Sequence, residues 1–225
     1  MVIFQIIQDG NNWTWIINEY LQLACPWQSR TNTFGSKPSI AIEADPENFA
    51  ILKQNWELNG QRFDLRHNAV YSKSGETVDF GGGKHEARAI QDNNTDANSH
   101  KIETLALRDL SSWIKQQNRK HLILKLDVEG VEIPALAGAD SLLSSDPCVM
   151  YEDHAMDKTH EVSRYLKEEM GMQLFYSGKS NCRKIHHYDE LDEIKRNPRV
   201  GYDFIAVRGS YWPSLIESLD YPTAK

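Results

Sequence analysis

Three acidic side chains follow one predicted buried strand within six residues. In Leu124-Lys125-Leu126-Asp127-Val128-Glu129-Gly130-Val131-Glu132, Asp127 ends the strand, and Gly130 permits a tight turn that keeps Glu129 and Glu132 close. Carboxylates so near one another repel, and repulsion combined with partial burial raises a pKa or attracts a cation. We therefore expect a positive group beside Asp127, whereas Glu132 also fits an ordinary acid in the first turn of a helix.

A second polar cluster, Tyr151-Glu152-Asp153-His154, ends another predicted strand. Histidine acts as a base near neutral pH, so Asp127, Glu129 and His154 are our candidate catalytic residues. The acids of this cluster, with Asp127 and His154, could instead form an oxygen-rich Mg²⁺ site that lowers the pKa of substrate hydroxyl groups. Their spacing is not a metal-binding motif, so we assign no metal ligand and do not favour a divalent metal.

Two further positions suit a nucleotide-like ligand. Glu43 ends the second predicted strand, where a carboxylate can accept hydrogen bonds from ribose hydroxyls, although a solvated strand-end acid is the alternative. The first strand runs into Gln8-Asp9-Gly10-Asn11-Asn12, a small polar turn at which backbone can approach a nucleotide closely. We expect the ligand beyond the carboxyl ends of the strands.

The elements that position these residues are short apolar runs, continuous rather than alternating, as in strands buried on both faces. They are Val2–Ile7, Ser39–Glu43, Phe63–Ala69, His121–Leu126, Cys148–Glu152, Met172–Tyr176 and Tyr202–Arg208. Segments with helical periodicity separate most of them, which predicts an α/β fold with a mostly parallel sheet and helices on both faces. Only irregular sequence separates the last two strands, so we expect that pair to be antiparallel.

One helix is predicted by every local criterion. Asp45 is a typical N-cap, Pro46 suits the first helical position, and Gly60 ends the periodic segment. Phe49, Leu52 and Trp56 fall on one face, which we expect to be buried. Further helices are expected over residues 107–117, after Gly130 and over residues 159–170.

Length and composition limit the classes of protein. A chain of 225 residues fits a single domain, residues 1–225, with long loops at about 25–37, 81–101 and 177–201 and a tail at 211–225. A net charge of −7 without a basic run makes nucleic acid an unlikely partner, and no apolar run approaches the ~20 residues of a membrane span or suggests a signal peptide. Three widely spaced cysteines favour a cytoplasmic protein without a disulfide framework. The oligomeric state cannot be predicted.

Two segments together resemble the FkbM family of S-adenosylmethionine-dependent methyltransferases. They are the stretch from Ile42 to Asn55, which begins Ile-Glu-Ala-Asp-Pro-Glu-Asn, and the stretch from Leu124 to Glu132, followed by Leu136 and Gly138. The similarity covers about residues 2–208. It implies a Rossmann-like class I methyltransferase fold of seven strands, mostly parallel, with an antiparallel last strand.

The resemblance also implies a cofactor, S-adenosyl-L-methionine, and residues that bind it. Glu43 would hold the ribose with Ala44 beside it, and Asn68 and Ala69 would lie beside the adenine. Asp127 would lie near the methionine part and the transferred methyl group. Gly10 and Asn12 match the family's first motif, D-x-G-A-N-x-G, and would also contact the cofactor.

The first motif also departs from the family pattern. Gln8 replaces the acid and Thr14 replaces the last glycine, which weakens the case for cofactor binding. A non-catalytic binding or scaffold protein with the same fold is therefore an alternative, whereas a nicotinamide oxidoreductase lacks its G-x-G-x-x-G turn. FkbM relatives act on hydroxyl groups of sugars and natural products, so the resemblance implies O-methylation of a small molecule or glycan.

Overall fold

A computed structural model gives the fold of the chain. The structure describes residues 2–7, 39–58, 60–61, 63–83, 86–90, 100–116, 121–128, 130–144, 146–178, 182–199 and 201–217; for 2–7, 81–83 and 86–90 it describes the backbone alone. The chain divides into two compact units, a first unit of residues 1–7 and 27–144 and a second unit of residues 8–26 and 145–225. We describe each unit by itself, and the single domain expected from chain length stays a prediction.

The first unit contains a sheet built from four of the predicted strands. Its strands are β1 (Val2–Ile7), β2 (Ser39–Glu43), β3 (Asp64–His67) and the later strand His121–Leu126. They lie in the order His121–Leu126, β1, β2, β3. β2 and β3 are parallel, as predicted, and Ile40, Ala41, Ile42 and Leu124 are buried in the interior of this unit.

The direction of β1 differs from the expectation of a mostly parallel sheet. β1 is antiparallel to both of its neighbours, so that Val2 pairs with Ile42 and with Leu126, and Ile7 pairs with His121. The carboxyl end of β1 therefore lies at the edge opposite Glu43. A continuous apolar run fits either direction, because the faces that it buries are the same in parallel and antiparallel pairing.

Helix α1 (Pro46–Leu58) connects β2 to β3 and forms as the sequence predicts. The Asp45 carboxylate accepts hydrogen bonds from the amides of Glu47 (2.9 Å) and Asn48 (2.8 Å), which makes Asp45 the N-cap. At the other end, the Gly60 amide donates to Glu57 O and the Gln61 amide to Trp56 O, the two hydrogen bonds of a Schellman motif. Gly60 has φ 72°, which explains why a glycine ends this helix.

The buried face of α1 packs on the sheet as predicted. Leu52 is buried with Ala41 and Phe63, and the half-buried Trp56 packs against them. The Trp56 indole donates a hydrogen bond of 2.7 Å to Phe63 O, just before β3. This bond fixes the carboxyl-terminal end of α1 to the start of β3.

A small second sheet follows β3 in the first unit. It consists of β4 (Ala69–Val70), β5 (Thr77–Gly83), β6 (Glu86–Ile90) and β7 (His100–Leu105), in the order β4, β7, β5, β6. The expectation of a loop over residues 81–101 is therefore wrong where β5, β6 and β7 extend into it. Polar residues interrupt the apolar ones along β5, β6 and β7, so these strands lack the continuous apolar runs that marked the predicted strands. In β7, Ile102 and Thr104 are the buried residues.

Short helices complete the first unit. A 3₁₀ turn (Leu107–Leu110) and α2 (Ser111–Gln116) fill the predicted helical segment, β8 (His121–Leu126) follows, and α3 (Glu132–Ala137) begins after Gly130. Gly138 ends α3 so close to the β4–β5 connection that a Cβ atom there would lie 2.1 Å from Tyr71 O. Only a glycine fits this backbone contact.

The second unit is built on an antiparallel sheet. Its elements are β9 (Pro147–His154), α4 (Glu161–Arg164) continued by a π-helical segment (Tyr165–Glu169), β10 (Gln173–Ser177), β11 (Cys182–Ile185), α5 (Asp189–Ile194), β12 (Gly201–Val207) and α6 (Tyr211–Glu217). The helix predicted over residues 159–170 therefore forms as α4 and the π-helical segment. The strand order is β11, β10, β12, β9, and every one of these neighbours pairs antiparallel. The predicted antiparallel pairing of the last two apolar runs, β10 with β12, is confirmed.

The predicted loop at 177–201 and the predicted tail at 211–225 contain helices and a strand. β11 and α5 lie within the expected loop, and α6 begins the expected tail with the buried Trp212, whose indole donates to Asp146 O (2.8 Å). Short polar strands and helices of this kind have too few apolar residues to stand out in sequence.

Every helix in the described part of the chain is too short or too polar to span a bilayer.

Candidate functional site

The carboxyl ends of two strands bring predicted site residues to one edge of the first unit's sheet. β1 lies between β2 and β8, and its Val2 pairs with Ile42 on one side and Leu126 on the other. Glu43 and Asp127 each follow the paired residue, so two strand spacings separate them, about 10 Å between Cα atoms. The structure therefore brings Glu43 and Asp127 to the same edge, as the sequence predicted.

Glu43 is buried at the end of β2, with 8% of its surface exposed. Its Oε1 accepts a hydrogen bond of 2.9 Å from the Asp45 amide, and Asp45 in turn caps helix α1. Burying a carboxylate is costly unless hydrogen bonds satisfy it. The Glu43 side chain is thus held at the junction of β2 and α1, where it can accept hydrogen bonds from ligand hydroxyls.

Ala44, Asn68 and Ala69 lie near this junction. Ala44 packs against the buried cluster that contains Ala69, which gives the edge a small apolar surface beside the acid. The Asn68 amide donates to Glu103 O at 3.2 Å and so joins the end of β3 to β7. Ala44 therefore packs against the cluster of Ala69, and the described contact of Asn68 supports the sheet.

His67, which is not among the predicted site residues, belongs to the same edge. It is the last residue of β3 and the parallel partner of Glu43. Its ring stacks on Phe49 of α1 with centroids 4.3 Å apart, and its Nε2 lies 3.2 Å from Ala44 O. A single exposed histidine carries no periodic signal, so only the fold could reveal these contacts.

Asp127 has the positive neighbour that charge repulsion predicted. The Lys125 ammonium lies 2.9 Å from Asp127 Oδ2, and both side chains are partly exposed. Glu132 Oε1 accepts from the Gly130 amide at 3.2 Å, and Gly130 has φ 75°, so Glu132 serves the turn before α3. Glu129 lies outside the described residues, as do Gly10 and Asn12 of the first motif.

His154 ends β9 in the second unit and is half-exposed. Its Nε2 lies 3.8 Å from Glu152 Oε1, two residues earlier on the same face of the strand. Gly201 of β12 pairs with His154, and a Cβ atom on Gly201 would collide with the Glu152 carboxyl. A glycine opposite His154 therefore leaves room for the Glu152 side chain beside the imidazole.

Asp153 faces the other way and is buried, contrary to its expected place in a polar cluster at the strand end. Its Oδ1 accepts a hydrogen bond of 2.5 Å from Lys195 Nζ, and the lysine side chain is fully buried. Its Oδ2 accepts from Ser163 Oγ (2.6 Å), which is also hydrogen-bonded to the Tyr151 hydroxyl (2.9 Å). Desolvation raises the pKa of Tyr151, so its phenol stays protonated.

Lys195 also fixes the loop that follows β9. Its ammonium donates to Asp157 O (2.7 Å) and to His160 Nδ1 (2.9 Å). An ammonium group can only donate, so His160 Nδ1 accepts and the ring hydrogen lies on Nε2, 3.5 Å from Asp192 Oδ1. Asp153, Lys195 and His160 thus form a buried network that supports the strand end at His154.

The carboxylate of Asp157 organises the start of α4. It accepts hydrogen bonds from the amides of Thr159 (2.8 Å), His160 (3.1 Å) and Glu161 (2.8 Å) and from the Thr159 hydroxyl. Burial favours the neutral acid, but these hydrogen bonds and the charge of Lys195 outweigh it and lower the pKa of Asp157. Asp157 is therefore ionised at neutral pH.

These contacts bear on the alternative Mg²⁺ site of Asp127, Glu152, Asp153 and His154. Asp153 is turned into the interior and paired with Lys195, so it does not share a face with Glu152 and His154. The alternative Mg²⁺ site with this set of four ligands is therefore wrong. Within the described ranges, no group of three or more His, Cys, Asp or Glu side chains is arranged to hold a metal ion.

Comparison with known proteins identifies the family of the chain. The family model described as the methyltransferase FkbM domain matches residues 18–174, which is more than half of the chain. No curated protein and no solved structure shows a significant match.

Replacing Lys195 by Met should destabilise the protein strongly. The change leaves the Asp153 carboxylate buried without its counter-charge, and removing one partner of such a pair costs about 3–5 kcal/mol. We expect the urea midpoint of unfolding to fall accordingly. The control is Lys184→Met, whose ammonium lies 3.9 Å from the exposed Glu217 and which should cost less than about 1 kcal/mol. Equal midpoints for the two variants would contradict the network.

Replacing Asp157 by Asn should lower stability in a pH-dependent way. The pKa of Asp157 is lower in the folded chain, so its ionised form stabilises the protein above the unfolded pKa of about 3.9, and this contribution is lost as pH falls through the folded pKa. Urea unfolding should show the largest difference between wild type and variant near pH 7 and a shrinking difference below about pH 4. Asp189→Asn, at an exposed position of the same unit, is the control. A difference that stays constant with pH would refute the role of the charge.

Proposed function

Because the chain belongs to the methyltransferase FkbM domain family, we propose that it transfers the methyl group of S-adenosylmethionine to a hydroxyl oxygen of a small molecule or glycan. The observation that carries the proposal is the buried Glu43 carboxylate, held at the edge of the sheet by the Asp45 amide. A carboxylate so placed is suited to accept hydrogen bonds from both hydroxyls of a ribose.

The residues at this edge fit an adenosyl group. Glu43 offers a hydrogen-bond acceptor, and Ala44 packs beside it against the buried cluster that contains Ala69, an apolar surface that suits the ring of an adenine. Asp127 lies at the same edge, where its carboxylate, ion-paired with Lys125, would face the cationic end of the donor. When bound, the donor supplies an electrophilic methyl group on a sulfonium.

Methyl transfer is an in-line displacement, so orientation of the acceptor oxygen does most of the catalytic work. The new O–CH₃ bond forms as the S–CH₃ bond breaks, the bonding electron pair stays on sulfur, and the hydroxyl proton must pass to a base. We propose that Asp127 orients the donor or the acceptor, and that His154 or Glu129 takes the proton. Glu152, beside His154, would stabilise the imidazolium that forms.

One observation favours a second candidate, a non-catalytic binding protein with the methyltransferase fold. Ile7, at the carboxyl end of β1, lies at the edge opposite Glu43. The next residues in the sequence form the first motif, in which Gln8 and Thr14 replace the family residues. Donor binding separates the two candidates, because a catalyst of methyl transfer must bind S-adenosylmethionine.

Titration calorimetry with S-adenosylmethionine tests the proposed cofactor. We expect saturable binding to the wild-type chain and about ten- to hundredfold weaker binding to Glu43→Gln, because a hydrogen bond to a charged group contributes about 1.5–3 kcal/mol. Glu47→Gln removes the same charge from an exposed position in α1 and should bind like wild type. Absence of heat with wild-type protein up to millimolar donor would refute the proposal and favour the binding protein.

Single-turnover methylation tests the assigned bases, using a panel of hydroxylated sugars and small natural products and detection of S-adenosylhomocysteine. We expect Asp127→Asn and His154→Ala each to slow the chemical step by about 10²–10⁴-fold, the usual contribution of a general base or positioning group. Donor affinity of His154→Ala should remain that of the wild type. If neither variant changes the single-turnover rate, the assignment of these residues is wrong.

A further inference from the structure

The last residue of β3 touches the turn that carries Glu43. His67 pairs with Glu43 in the parallel register, its ring stacks on Phe49 at an interplanar angle of 13°, and its Nε2 lies 3.2 Å from Ala44 O. Ala44 is the residue between Glu43 and Asp45. The imidazole therefore spans from α1 to the Ala44–Asp45 peptide, one residue after the candidate ribose-binding acid.

The chemistry of this contact fixes the role of the ring. A carbonyl oxygen can only accept, so Nε2 of His67 must carry the hydrogen. The stack on Phe49 sets the plane of the ring and hence the direction in which Nε2–H points. Three consecutive residues are thereby restrained: Glu43 by the Asp45 amide, Ala44 by His67, and Asp45 by its bonds to the first turn of α1.

We propose that His67 is a positioning residue for the adenosyl donor. By holding the Ala44 carbonyl, it fixes the orientation of the Ala44–Asp45 peptide, whose amide donates to Glu43 Oε1, and so both the direction of the Glu43 carboxylate and the apolar face of Ala44. This inference rests on the proposed function, because it assigns the ribose and the adenine to Glu43 and Ala44.

A purely structural role is less consistent with the contacts. Trp56 already anchors the carboxyl-terminal end of α1 to the start of β3 through Phe63 O. His67 is exposed, and its hydrogen bond goes to Ala44, next to the candidate ligand-binding acid, rather than into the core. Loss of the Trp56 bond should therefore affect stability, while loss of the His67 bond should affect the ligand.

The test compares three full-length variants by calorimetry with S-adenosylmethionine and S-adenosylhomocysteine and by urea unfolding. His67→Phe keeps an aromatic ring for Phe49 but removes the donor to Ala44 O, and should weaken both ligands about two- to tenfold. His67→Gln restores a donor and should recover part of that affinity. Trp56→Phe, the matched control, removes one hydrogen bond at the far end of α1 and should lower the urea midpoint without changing either affinity.

The outcomes separate this inference from the proposed function. If the wild type binds both ligands and His67→Phe binds them within twofold as tightly, the positioning role is refuted. It is also refuted if Trp56→Phe weakens binding as much as His67→Phe, because both effects would then reflect loosening of α1. If the wild type binds neither ligand, the proposed function fails, and the inference fails with it.

Discussion

The hydrogen bond from the Asp45 amide to the Glu43 carboxylate is the constraint on which the candidate site depends. It lets a buried acid end a strand, and the residue that donates it is also the cap of the following helix. Asp45 both caps α1 and orients the Glu43 carboxylate, so the formation of α1 and the orientation of Glu43 are coupled. The geometry of the candidate site at this edge is thus a consequence of local helix geometry rather than of a separate structural feature.

The second unit contains a different constraint, the burial of two charged side chains. Asp153 and Lys195 are both removed from water, which is tolerable only because Ser163, His160 and the Asp157 carbonyl satisfy their remaining hydrogen-bonding groups. The alternation of β9 assigns its residues to separate roles. Asp153 is committed to the interior, whereas Glu152 and His154 stay accessible on the other face.

Strand positions and the main helix were predictable because burial on both faces leaves continuous apolar runs, and because Asp45, Pro46 and Gly60 act locally. The direction of β1 was not predictable, because the run Val2–Ile7 would bury the same residues in either orientation. The strands β5, β6 and β7 escaped prediction because polar residues interrupt their apolar ones, and β11 because it has only two apolar residues, Cys182 and Ile185. Among the site residues, Glu43 and Asp127 followed from their places at strand ends. The contacts of His67 and Lys195 depend on residues 23 and 42 positions away and carry no local signal.

The complete enclosure of Lys195 has a practical consequence. Amine-reactive reagents modify accessible lysines at once, but they can reach this ammonium group only when the second unit opens. The rate at which Lys195 becomes labelled therefore measures how often the second unit opens under native conditions. The side chain that neutralises Asp153 thus also reports the opening of the second unit through its rate of chemical modification.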